Sequence, residues 1–120
     1  MGIRSDVAVA LKKNVFDNLS AGSRQTLSEW FGEPASVNGQ GHVLFYTEFV
    51  KWYFSSYEDL VALYAELLDS FDEEEYLIVQ ACHDYPESTE GDLGGWYDNP
   101  WGAYRSVRVE VKWDHDKYDV

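Results

Sequence analysis

Three consecutive residues, Cys82, His83 and Asp84, have the types that build a nucleophile, its general base and an orienting acid. A relay of that kind needs side chains that converge, whereas neighbours on an extended chain project to opposite faces. The triplet closes an apolar run, so Cys82 reads as a small buried thiol rather than a nucleophile. Two other groups have the chemistry of metal ligands. Asp84, Glu87, Glu90 and Asp92 lack the alternating acids and central glycine of a calcium loop, and Asp114, His115 and Asp116 fall in a polar stretch of the kind that frays. No glycine-rich phosphate cradle, HExxH or GxSxG occurs. The residues therefore assign no catalytic group, no metal and no cofactor.

Charge is the more informative quantity. The 120 residues hold 22 acids against 9 Lys and Arg, a net charge of −13. No Lys or Arg occurs between Lys51 and Arg105, an interval with 13 carboxylates. Such a chain repels nucleic acid and anionic lipid and attracts basic partners. The candidate binding residues are Asp72, Glu73, Glu74, Glu75, Asp84, Glu87, Glu90 and Asp92, with Trp96 and Trp101 as apolar anchors. The loop 94–104 combines aromatic side chains with glycines, a composition suited to an interface. The alternative is that Trp96 and Trp101 fold back over the sheet as a lid on the core.

These residues need a scaffold, and 45% hydrophobic content is enough for one core. One α+β domain is expected over 1–113, followed by a polar tail at 114–120. A first strand spans 3–11, alternating Val and Leu with small Ala. A broken helical segment follows at 14–19 and 23–31, with Ala21-Gly22 at the break, and then a loop at 32–41. A long strand covers 43–54, with Glu48 and Lys51 on opposite faces. Ser55 stands three residues before Glu58, which predicts a reciprocal cap and a helix to about Ser70 on the stripe Tyr57, Leu60, Val61, Tyr64, Leu67, Leu68 and Phe71. A strand at 76–83, an irregular segment at 84–103 and a strand at 104–113 complete the order β-α-β-α-β-β. The expected architecture is a two-layer sandwich with helices on one face of a four-stranded sheet, a variant of the ferredoxin-like arrangement.

The single cysteine excludes an internal disulfide framework, and no apolar run is long enough to cross a bilayer, so a cytoplasmic location is expected. Asp6 stands where a myristoylation signal requires Ser or Thr.

The opening RSDVA, the strand FYTEFVKWY and the helix SYEDLVALYAELL together resemble small phage and prophage accessory proteins, over about half the chain. The resemblance implies a non-enzymatic accessory factor acting in the host cell, an inhibitor of the anti-CRISPR or DNA-mimic kind. Its partner would be a basic host protein, such as a nucleic-acid-binding defence complex, with no direct contact to nucleic acid or membrane. Two alternatives stand beside it: a small hydrolase or nucleotide-processing enzyme using His83 and nearby carboxylates, and a self-associating virion or assembly component with a homodimer contact through the Trp-rich loop.

Overall fold

The computed structural model describes residues 2–103. The expected strand at 104–113 and the tail with Asp114, His115 and Asp116 lie outside them. Strand β1 (Ser5–Leu11) is followed by helices α1 (Lys13–Asn18) and α2 (Ala21–Phe31), a two-residue strand β2 (Ser36–Val37) and strand β3 (Val43–Val50). Helix α3 (Glu58–Ser70), a short acidic turn at Glu73–Glu75, strand β4 (Tyr76–Cys82) and a two-residue β5 (Leu93–Gly94) complete the described chain. The class is α+β as expected, but among the described residues the sheet has five strands in the order β2-β3-β1-β4-β5, with each of these pairings antiparallel. The four-stranded, ferredoxin-like order is therefore corrected. Two of the strands, at 36–37 and 93–94, are too short to leave any periodicity in the sequence.

The centre of the sheet is β1, all seven residues of which are buried. Its alternation serves two different layers. Val7, Val9 and Leu11 join Val43, Phe45, Tyr76 and Ile78 against the helices, where Val15, Leu27, Leu60, Leu63 and Leu67 meet them. Ala8 and Ala10 lie on the other face with Leu44, Leu77, Val79 and Ala81, and are covered by Trp96 and Trp101. The small alanines leave room for two indoles to approach the sheet closely, which is why both faces of one strand can be dry.

Helix α2 begins two residues earlier than the Ala21-Gly22 break suggests, because Ser20 caps it, accepting a hydrogen bond from Ser23 N at 3.1 Å. Helix α3 starts at Glu58, but the reciprocal Ser55–Glu58 cap does not form; its N-cap is Tyr57, without a side-chain bond. Ser56 N and Tyr57 N donate instead to Tyr53 O, closing a backbone turn that precedes the helix. The buried stripe of α3 is Leu60, Leu63 and Leu67, while Val61 and Leu68 are 45% and 64% exposed, so the helix is rotated from the expected face.

The largest departure is in β3. The alternating pattern predicts one strand through 54, yet it ends at Val50 because Phe49 takes φ 57°, in the left-handed region that a bulky residue rarely adopts. The pairing of β3 with β1 slips at the same place, between Ser5 and Val7. Beyond the break Trp52 turns into the helix-side core and becomes 1% exposed, on the opposite side from the one strict alternation assigns it. Among the described residues no helix is long and apolar enough to cross a membrane.

Candidate functional site

The candidate acids bracket β4. Asp72, Glu73 and Glu74 are exposed in the turn that feeds its first residue, and Asp84, Glu87 and Glu90 are exposed in the loop that leaves its last. Seven strand residues separate the two groups by roughly 20 Å. The candidate acids thus form two groups at opposite ends of a rigid strand. The first is fixed through the backbone: Gly95 N donates to Glu73 O at 2.6 Å and Glu75 N to Asp72 O at 3.0 Å, which leaves the side chains free to face outward. Two of the expected binding residues have structural duties. Glu75 Oε2 accepts from Asn14 Nδ2 at 3.1 Å, and Asp92 Oδ1 accepts from Gln80 N at 2.9 Å.

Trp96 and Trp101 are 6% and 3% exposed. They pack edge to face with centroids 6.2 Å apart and lie over the alanine face of the sheet, as the lid alternative requires. Asn99 ties the lid together: its Nδ2 donates to Trp96 O and Ala103 O, and its Oδ1 accepts from Trp101 N and Ala103 N. Trp101 Nε1 donates to Ser36 Oγ at 3.0 Å, anchoring the lid to β2. In this arrangement neither indole offers surface to a partner. Tyr97, in the same loop, is 59% exposed.

Arg4 sits 5.2 Å from the centroid of Phe49, Lys12 sits 5.7 Å from Trp96 and Arg24 sits 4.6 Å from Phe16. Lys13 pairs with Asp17 one helical turn away. Among the described residues the ion pairs are that one and His83–Asp6, and Asp72, Glu73, Glu74, Asp84, Glu87 and Glu90 enter neither.

The Cys82-His83-Asp84 triplet separates as strand geometry requires. Cys82 is buried and free, and Asp84 is exposed. His83 turns toward Asp6, with Nε2 2.7 Å from Asp6 Oδ1. Asp6 is 7% exposed, and the same oxygen accepts from Phe49 N at 3.1 Å. One buried carboxylate therefore holds both the histidine and the strained residue, and Phe49 and His83 pack with ring centroids 5.4 Å apart. Sequence reasoning missed this constellation. Its only trace is a carboxylate inside an otherwise apolar strand. Among the described residues no three His, Cys, Asp or Glu groups converge as a metal site would require.

A cleft of about 680 Å³ opens between the turn after β3 and the loop 85–91. Its floor is built from Ser5, Trp52, Gln80 and Cys82, and Glu87 and Glu90 stand on its wall. The floor is rigid: Gln80 Nε2 donates to Ser5 Oγ at 2.9 Å and Trp52 O at 3.0 Å, and Trp52 Nε1 donates to Tyr64 Oη at 2.8 Å. Tyr64 in turn donates to Gly91 O at 2.6 Å, which pins the loop. Burial, only partly opposed by the bond from Trp52 and reinforced by the charge of Asp92, holds the Tyr64 phenol far above its ordinary range, so it remains a donor.

Compared with protein-family models, with curated proteins and with solved structures, the chain has no significant match.

Proposed function

We propose that this chain is a non-enzymatic acidic binding protein that occludes a basic surface of a host protein, in the manner of a phage or prophage accessory factor. A nucleic-acid-binding defence complex is the partner class that best suits its field. The observation that carries the reading is the division of charge. Of the described cations, Arg4, Lys12 and Arg24 lie over aromatic rings and Lys13 beside Asp17, whereas six carboxylates at the two ends of β4 are exposed and enter no ion pair among the described residues. Carboxylates held at the two ends of a stiff strand present a negative field of fixed spacing. Such a field speeds encounter with a basic surface and repels nucleic acid. The separation of roughly 20 Å suits a partner with two basic patches, or one elongated groove, better than a single basic loop. Affinity capture from a susceptible bacterium at low and high salt tests the proposal. A basic protein held at low salt and released at high salt is expected; a partner held equally at both, or none, contradicts it.

A second reading is favoured by one contact. A buried Asp6 bonded to a half-exposed His83 has the form of an orienting acid and a general base. In that reading the chain is a small hydrolase, with Asp6 and not Asp84 as the partner of His83. Loss of the biological effect in His83→Ala, with the fold intact, would favour it; retention of the effect removes it.

A further inference from the structure

We infer that the cleft between the 53–56 turn and the 85–91 loop is a pocket for one lysine or arginine side chain presented by the partner, an inference that rests on the acidic-binding reading above. Three observations carry it. First, among the described residues the carboxylates lining the cleft are those of Glu87 and Glu90, and no described Lys or Arg lines it. A cation entering it meets two negative charges. Second, Tyr53, Phe54 and Tyr85 line the same space. An aromatic wall with carboxylates above it suits a side chain with an apolar stem and a cationic head, because the stem gains burial and the head gains both the carboxylates and the ring quadrupoles. Third, the cleft is preorganised. Phe54 is stacked on Tyr64 and Tyr53 on Tyr57, each with centroids 5.4 Å apart, and Gln80 and Tyr64 are bonded as described.

The loop wall is seated so closely that a Cβ on Gly91 would come 1.5 Å from Gln80 Oε1. Little rearrangement is then required on binding, and the volume of about 680 Å³ leaves room for the side chain and part of its backbone. A neutral ligand of the same shape would leave Glu87 and Glu90 without a counter-charge, which is the basis of discrimination.

The test is a titration of isotope-labelled protein, followed by amide chemical shifts. The probes are N-acetyl-arginine amide, N-acetyl-lysine amide and the neutral isostere N-acetyl-citrulline amide. Saturable shifts confined to residues 52–56, 80–82 and 85–91 are expected with either cation, and binding about tenfold weaker or absent with citrulline. The double variant Glu87→Gln/Glu90→Gln, at exposed positions where the amide is isosteric, is expected to lose the cation preference while melting as the parent does. Tyr85→Ala is expected to weaken both cations. Shifts spread evenly over all acidic segments, equal affinity for citrulline, or a double variant that binds like the parent would each overturn the inference. Failure here is distinguishable from failure of the broader reading. If a captured basic partner is released by charge reversal at 72–75 but not by the Gln variants, the acidic-binding role stands and the pocket does not.

Discussion

Asp6 Oδ1 lies 2.7 Å from His83 Nε2 and 3.1 Å from Phe49 N, so a single buried carboxylate oxygen joins residues from β1, β3 and the end of β4. This junction sits where the register of β1 and β3 slips and where Phe49 adopts a left-handed backbone. Asp6→Asn keeps the shape but weakens two bonds made to a charged acceptor, and should cost about 1–3 kcal/mol. His83→Ala, which removes a half-exposed partner, should cost less than about 1 kcal/mol. Denaturant midpoints of the two variants check the order; equal losses would mean that Asp6 is not the organising group.

Phe49 is 60% exposed, so its side chain contributes little burial, while its φ of 57° costs a bulky residue on the order of 1 kcal/mol. Phe49→Asn is expected to be neutral or to raise the denaturation midpoint. A loss above about 1 kcal/mol would show that the contacts with Arg4 and His83 outweigh the backbone strain.

How far the sequence reveals this scaffold depends on the range of the forces involved. Strands β1 and β4 and helix α3 are legible because each repeats its apolar residues at the period of one element. The break at Phe49 is not legible, since Val50, Trp52 and Phe54 continue to alternate past it and the carboxylate that accepts from Phe49 N lies 43 residues away. The Asp6–His83 contact spans 77 residues and leaves no local mark. The acids were identifiable by composition, but their division into two groups follows from the length of β4 and the path of the chain around it. The cleft draws on four separated segments, and Ser55 and Ser56, which read as a helix cap, line it instead.

Gly94 pairs with Leu77 at φ 84°, and a Cβ there would meet Tyr76 O at 2.3 Å. The obstruction is backbone, which cannot swing away. Gly94→Ala should therefore destabilise by about 2 kcal/mol or more and loosen the lid that follows. Thermal melting checks it, with Gly39→Ala as the control, because nothing lies near a Cβ at that position.

Trp96→Ala and Trp101→Ala should each cost about 3–5 kcal/mol, whereas Tyr97→Ala should be close to neutral. Near-equal effects of all three on stability would contradict the lid. A loss of partner binding from either indole variant without a loss of stability would return them to the role of interface anchors.

Stability should fall on acidification in two stages. Burial, and then the charge of Lys12, hold His42 below its ordinary 6.5, and its Nδ1 accepts from Lys13 N, which only the neutral ring can do. The unfolded chain takes up that proton first, so stability present above pH 6.5 is lost as pH falls from there through the folded value. Burial would raise Glu66, but hydrogen bonds from Ser20 Oγ, Ser23 Oγ and Ser20 N together hold it below 4.5, so its contribution is present above pH 4.5 and lost as pH falls through its folded value. His42→Gln should flatten the first stage and Glu66→Gln the second, read from denaturation midpoints across pH.

The central claim is that the exposed carboxylates at the two ends of β4 drive association with a basic protein. Its most direct test is the association rate with the captured partner as ionic strength is raised, for the parent and for a variant carrying Glu73→Lys, Glu74→Lys, Glu87→Lys and Glu90→Lys. The parent rate should fall by about tenfold or more across the series, and the variant should associate slowly with a flat or inverted salt dependence. A parent rate indifferent to salt, or a variant that binds as the parent does, would contradict the account.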